Sequence, residues 1–204
     1  MEKARCIFVG VGGQGNLLAS NLLGLSALSL GIPVVVSEIH GMAQRGGVVE
    51  SAVLLGGISS PIVSDGEADV LVSFEPLETM RILNKCNKET VVITNSQPLF
   101  PFTVSTGQGV YPPVDQVLDK IRARVDHVIS LQGNDLAENA GNPLSLNMVM
   151  LGALIGTNTV PVTADVMKDT ISNNTKKAFL ESNLKAFDLG MEEGKAFVRA
   201  GGLQ

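Results

Sequence analysis

The stretch Val9-Gly10-Val11-Gly12-Gly13-Gln14-Gly15 sits between an apolar run and a long helical pattern near the start of the chain. That placement leaves few folds open. Ala4 to Val9 reads as a short buried strand and Asn16 to Leu30 as a helix, so the glycines form a strand-to-helix turn. Gly10, Gly12 and Gly15 match the G-x-G-x-x-G spacing of dinucleotide-binding turns. There the first glycine permits the tight turn, the second lets backbone approach a phosphate, and the third lets helix and strand pack closely. Free N–H groups at the helix start suit an anion. The spacing alone does not single out a nicotinamide cofactor; it points more firmly to a doubly wound α/β fold with function at the carboxyl end of its first strand.

The rest of the chain keeps the alternation of β-branched runs and helical patterns that marks βαβ units. Strands are expected at Ile32 to Val36, Val48 to Leu55, Val70 to Phe74, Val91 to Thr94 and Val128 to Leu131. Helices are expected at Leu77 to Leu83, Pro113 to Arg124, Leu144 to Ile155 and Thr163 to Ser172. A last helix, from Thr175 to about Val198, carries Leu180, Leu184, Phe187 and Met191 at i, i+4, i+7 and i+11 on one face. Between Ser96 and Pro113 the pattern dissolves into Pro, Gly, Ser and Thr, read as a loop with a small strand or two, or as an excursion across a partner. The expectation is one domain over residues 1–204, with a Rossmann-like sheet, helices on both faces and a C-terminal amphipathic helix.

Composition narrows the function. Hydrophobic residues make up 45% and charged residues only 17% of the 204 positions, with a positive mean hydropathy of +0.27. No apolar run reaches the ~18 residues of a membrane span, so such a surface is expected to meet other protein rather than lipid. A net charge of −5, one Tyr and no Trp argue against a nucleic-acid partner. The strand begins so early that no signal peptide is expected, which implies a cytoplasmic protein. Cys6 and Cys86 lack C-x-x-C partners and read as buried thiols, and two His residues do not suggest a zinc site, so no metal ligands are expected in this chain.

A second cluster, Ser37-Glu38-Ile39-His40-Gly41-Met42-Ala43-Gln44-Arg45-Gly46-Gly47, follows the second strand. Glu38 stands where a nicotinamide enzyme would hold the adenosine ribose. Arg45 is suited to gripping a carboxylate or phosphate bidentately, or else to fixing the loop by a salt bridge to Glu38 or Glu50. His40 is read as a proton carrier or as an orienting or interface residue. Glu75, at the end of a strand, would orient Arg45 or a partner group, or sit in a solvated turn. Gln14 is expected to face a cofactor or a subunit boundary. Asn147 would reach the same mouth or make a hydrogen bond inside its apolar helix.

The glycine turn, the Ser37–Gly47 cluster, Ser59-Ser60-Pro61-Ile62 and Asn147-Met148-Val149-Met150-Leu151-Gly152-Ala153-Leu154, in that order, resemble the gamma-type subunit or domain of 2-oxoacid:ferredoxin oxidoreductases. The form His40-Gly41-Met42-Ala43-Gln44-Arg45-Gly46-Gly47 is most similar to the indolepyruvate branch. The resemblance implies a multi-subunit enzyme that oxidatively decarboxylates an arylpyruvate with coenzyme A, giving acyl-CoA, CO2 and reduced ferredoxin. It places thiamine diphosphate and the iron–sulfur clusters in a large partner subunit, and leaves this chain inactive alone, with no catalytic residue of its own. By position it implies that Gly10, Gly12, Gly13, Gln14, Gly15, Gly46 and Gly47 approach the cofactor, with His40, Gln44 and Arg45 shaping the site; Glu38 remains a cofactor-binding candidate from its place at the end of the second strand. Two other readings stand beside it: a self-sufficient NAD- or flavin-dependent oxidoreductase, and a nucleotide- or CoA-binding module without catalysis.

Overall fold

The computed structural model describes residues 3–41 and 47–203. Six strands, β1 (Ala4–Val11), β2 (Val34–His40), β3 (Val48–Leu55), β4 (Ala68–Ser73), β5 (Cys86–Asn95) and β6 (His127–Leu131), form one sheet in the order β2-β3-β1-β4-β5-β6. β1, β4, β5 and β6 run parallel. β3 is antiparallel to both β1 and β2, so β2 and β3 pair as the two arms of a hairpin, with β3 laid against the first strand.

Alternation of side chains across the pleat divides the core. Cys6 and Phe8 face one apolar layer, covered by α1 (Asn16–Ser29), α6 (Leu146–Gly156), α7 (Ala164–Asn174) and α8 (Lys177–Arg199). Ile7 and Val9 face a second layer, covered by α2 (Pro76–Arg81) and α4 (Val114–Arg122). Two further short helices, α3 (Phe102–Ser105) and α5 (Gly133–Asn139), sit in the connections after β5 and β6.

The uniformly apolar helix of the sequence is uniformly buried: all of α6 is inside, enclosed by sheet, α1 and α8. Glycine sets the closeness of the α6–α8 contact. A Cβ on Gly190 would lie 1.9 Å from the carbonyl oxygen of Val149, and one on Gly152 would lie 2.0 Å from that of Phe187. Gly156 and Gly194 repeat the arrangement a turn further on, so backbone meets backbone along both helices. This four-residue glycine spacing was readable in the sequence and is absent from the amphipathic pattern that marked α8.

Candidate functional site

The strand order reverses between β1 and β4. After β1 the chain turns through α1 on one face; after β4 it turns through α2 on the other. A doubly wound sheet opens a crevice at the carboxyl ends of its strands at such a switch point. Here a cleft of about 600 Å³ opens there, its walls including Gly12 to Gly15, Leu18, Gln97, Leu99, Asn134, Leu144 and Asn147.

The glycine turn is built differently from the dinucleotide turn its spacing suggests. Gly10 and Val11 belong to β1, which is longer than expected because β3 pairs with it to the end, Val11 opposite Val48. The pairing continues one step further: the Gly12 N–H donates to the Gly47 carbonyl at 2.9 Å. The amide expected to approach a phosphate is therefore engaged by the hairpin. Gly10 allows close packing, since a Cβ there would meet Gln14 Oε1 at 2.9 Å and the Phe74 Cβ at 3.0 Å. The left-handed conformations fall at Gly13 (φ 103°) and Gly15 (φ 82°).

Gln14 does not extend into the cleft by its amide. Its Oε1 accepts from the Val11 N–H at 2.8 Å and its Nε2 donates to the Phe74 carbonyl at 3.0 Å. The side chain closes the turn upon itself and ties it to the end of β4. The same Phe74 carbonyl accepts from Asn95 Nδ2 at 3.2 Å. Asn95 is buried, donates also to Asn134 Oδ1 at 3.0 Å, and accepts from the Gly133 N–H at 3.0 Å. A belt of carboxamides thus fixes the ends of β1, β4, β5 and the start of α5. Sequence reasoning missed Asn95, Gln97 and Asn134; the available signal was carboxamides placed just after apolar strand runs.

α1 begins at the cleft after Gly15, with no side-chain cap and no acid in its first turn. The first N–H groups of a helix have no partner within it, so this start offers free donors and partial positive charge to the cleft. α6 lines the opposite wall with its first residues, but it continues directly from a single 3-10 turn, Pro143–Ser145, whose start is capped by the Asn142 side chain accepting the Leu144 N–H at 3.1 Å. Asn147, in the first turn of α6, lies against the start of α1. Only 5% exposed, it accepts the Met148 N–H on its Oδ1 at 3.1 Å, while its Nδ2 packs 2.9 Å from where a Cβ of Gly15 would stand. Both sequence readings of Asn147 hold: it bonds its own helix and it lines the cleft.

Glu75 is neither a solvated turn nor an exposed orienting group. It is 1% exposed and caps α2, its Oε2 accepting the Glu78 N–H at 3.0 Å. Its Oε1 accepts the Tyr111 hydroxyl and, at 3.4 Å, the Leu99 N–H. The carboxylate pins the segment between β5 and α4 onto the sheet edge. In that segment a single-turn helix, α3, stands where a small strand was expected. Burial and the Glu75 carboxylate push the Tyr111 phenol well above its ordinary pKa, so it remains a donor.

Glu38 is inside β2, opposite Ser51, because β2 extends to His40 rather than ending at Val36. β3 separates it from β1 by two strand spacings, ~10 Å, and Ser51 is itself opposite Phe8, well short of the turn. A ribose held as in a nicotinamide enzyme does not fit this geometry, since there the acid ends a strand next to β1. Gly47 is at the cleft's edge through its bond to Gly12. The His40 side chain, Gln44, Arg45 and Gly46 lie outside the described residues. Cys6 and Cys86 are buried free thiols. Burial raises both pKa values, Cys86 to about 11. No helix among the described residues is long and apolar enough to cross a membrane.

A family model described as Pyruvate ferredoxin/flavodoxin oxidoreductase matches residues 5–193. The Indolepyruvate oxidoreductase subunit IorB of Methanothermobacter thermautotrophicus is 40% identical over 178 residues, covering 87% of this chain and 91% of the relative. In fold the chain is similar to the keto/oxoacid ferredoxin oxidoreductase gamma subunit of Geobacter sulfurreducens, with a TM-score of 0.71 at 21% identity over 96% of this chain and 98% of that one. The 2-oxoglutarate:ferredoxin oxidoreductase of Magnetococcus marinus, solved with 2-oxoglutarate, coenzyme A and succinyl-CoA, contains a similar fold (TM-score 0.73, 20% identity). There the match covers 96% of this chain but 32% of the longer one.

Proposed function

The chain belongs to the pyruvate ferredoxin/flavodoxin oxidoreductase family, and from that membership we propose that it is the small subunit of an indolepyruvate-type enzyme whose cleft receives the phosphate-bearing part of coenzyme A. It is a subunit of a 2-oxoacid:ferredoxin oxidoreductase. The reaction proposed is oxidative decarboxylation of an arylpyruvate with coenzyme A to acyl-CoA and CO2, the two electrons passing to ferredoxin. Thiamine diphosphate and the iron–sulfur clusters are assigned to the larger subunit; Cys6 and Cys86, the two cysteines of this chain, are buried in different core layers.

The observation that carries the reading is the convergence of the uncapped start of α1 and the Asn147 carboxamide on one cleft at the switch point. Such a place favours a polyanion and offers donors rather than carboxylates. Coenzyme A, when bound, supplies the thiol that takes up the acyl group. The residues here bind and orient: the first-turn amides of α1 and Asn147 Nδ2 would hold phosphate oxygens, and Leu18, Leu99 and Leu144 would exclude water from the pantetheine path. By their place in the motif, His40, Gln44, Arg45 and Gly46 are proposed to contribute to binding, with Arg45 as the counter-charge.

Asn147→Asp tests this in the assembled enzyme. It keeps the acceptor for the Met148 N–H and replaces the cleft donor with an anion. The KM for coenzyme A should rise roughly tenfold or more, as for a lost hydrogen bond to a charged group (~1.5–3 kcal/mol), with the KM for the 2-oxoacid unchanged. Equal effects on both substrates, or on neither, would remove coenzyme A from this cleft. Arg45→Ala should likewise lower turnover of the complex without lowering the melting temperature of the subunit.

A further inference from the structure

Beyond the cleft, on the α2 side of Leu99, a second pocket of about 340 Å³ has Glu78, Arg81, Phe100, Phe102 and Tyr111 in its walls. Its chemistry is unlike that of the cleft. Phe100 packs edge-on against Tyr111, ring centroids 5.3 Å apart at 77°. Phe102 is 80% exposed and Val110, on the same segment, 92% exposed. Large apolar side chains gathered at such exposure mark a contact surface rather than a solvated loop.

Below the rings the charge does not balance. Glu75 and Glu78 are both buried, and Arg81, half exposed, is the cation paired with Glu78 through Oε1. The other carboxylate oxygen of Glu78, Oε2, is buried without a hydrogen-bond partner. An unsatisfied buried acceptor is costly, more so when charged. Burial, with Glu75 adding to it, raises the pKa of Glu78 against the opposing pull of Arg81. Aromatic rings lining a pocket that, among the described residues, brings two carboxylates and one guanidinium together suit a cation.

We infer that this aromatic and acidic pocket is where the larger subunit docks, inserting a lysine or arginine side chain beside the Glu78–Arg81 pair and the rings of the pocket while its surrounding apolar surface covers Phe102 and Val110. The inference rests on the subunit reading above and specifies the surface. The occupant is a protein surface with one basic anchor, because the pocket is too small to hold more than a side chain or a small molecule, whereas the exposed rim extends well beyond it. The fusion in Magnetococcus marinus, where a similar fold makes up about a third of one chain, is consistent with a permanent neighbour. Placed here, the neighbour would also close the Leu99 wall shared with the cleft.

The test is affinity between the purified small and larger subunits, with wild type and three variants, each checked for fold by circular dichroism and melting temperature. Phe102→Asp and Val110→Asp alter exposed positions and should leave the fold intact while weakening association roughly tenfold or more, as for hot-spot residues. Glu78→Gln keeps an acceptor for Arg81 and should weaken association by a similar factor, with a flatter salt dependence. If wild type binds and all three variants bind equally well, the docking surface lies elsewhere and the subunit reading survives. A Glu78→Gln effect that vanishes in an Arg45→Ala background would assign the cation to this chain's own loop and overturn the proposal. If the wild-type pair does not associate at all, the subunit reading itself fails and the docking surface fails with it.

Discussion

Gly13 and Gly15 both hold positive φ in the turn, yet they answer to different constraints, and substitution separates them. At Gly13 a Cβ would enter open space; at Gly15 it would meet the Asn147 side chain at 2.9–3.2 Å. Gly13→Ala should therefore cost only the backbone term, ~1–2 kcal/mol. Gly15→Ala should cost more, because either α1 or Asn147 must shift, and thermal melts of the two variants should rank them in that order. Two melts of equal midpoint would mean the Gly15–Asn147 contact imposes nothing. The thiols make a second residue-scale test. Burial holds Cys86 up to about 11 and Cys6 higher still, so both are protonated in the folded chain at pH 8 and should resist a thiol reagent until denaturant is added. The sign for stability follows: the unfolded thiols ionise near their ordinary pKa of ~8.5 while the folded ones stay protonated, so stability falls as pH rises above about 8.5. Rapid native labelling at pH 8 would contradict the burial of both.

At the scale of elements, the apolar periodicities located the strands well and their ends poorly. β3 falls on Val48 to Leu55 as read, because Gly47 and Gly56 bound it. β1 and β2 run on to Val11 and His40, since an antiparallel neighbour supplies hydrogen-bond partners that no local pattern announces. This is also why Glu38, legible as a strand-end acid, lies within a strand and apart from the turn. α5 was missed altogether: Gly133–Asn139 is polar and seven residues long, and its start is fixed by Asn95 rather than by an apolar stripe. The α6–α8 contact depends on glycines that periodicity treats as gaps. Gly190→Ala would put a methyl group 1.9 Å from the Val149 carbonyl oxygen and should destabilise the chain at or above the upper end of the ~1–3 kcal/mol typical of overpacking. A melting temperature within a degree of wild type would show that the helices separate at no cost.

For the whole molecule, the candidate cleft was legible in outline because two of its walls, the glycine turn and the start of the Asn147 helix, are each a short continuous run of sequence, far apart along the chain. The glycine turn and the Asn147 helix meet at the crevice, and Gly47 joins them through one backbone bond. What the sequence could not disclose is the reversal of roles within the turn, where Gly12 and Gln14 serve the hairpin and the strand ends while the start of α1 faces the cleft. Nor could it disclose that Glu75 and Tyr111 hold the apolar segment outward-facing at the same edge. Those facts depend on which strand lies beside which. Together they describe a chain whose donors and exposed rings are arranged around a shared edge, with the electron-carrying chemistry assigned to a neighbour. The direct measurement is 2-oxoacid-dependent reduction of ferredoxin by the small subunit alone, the larger subunit alone and the two combined, with coenzyme A and indolepyruvate supplied. The account predicts negligible turnover by the small subunit and full activity only in the combined sample; turnover by the isolated small subunit, or activity of the larger subunit unaffected by its addition, would contradict it.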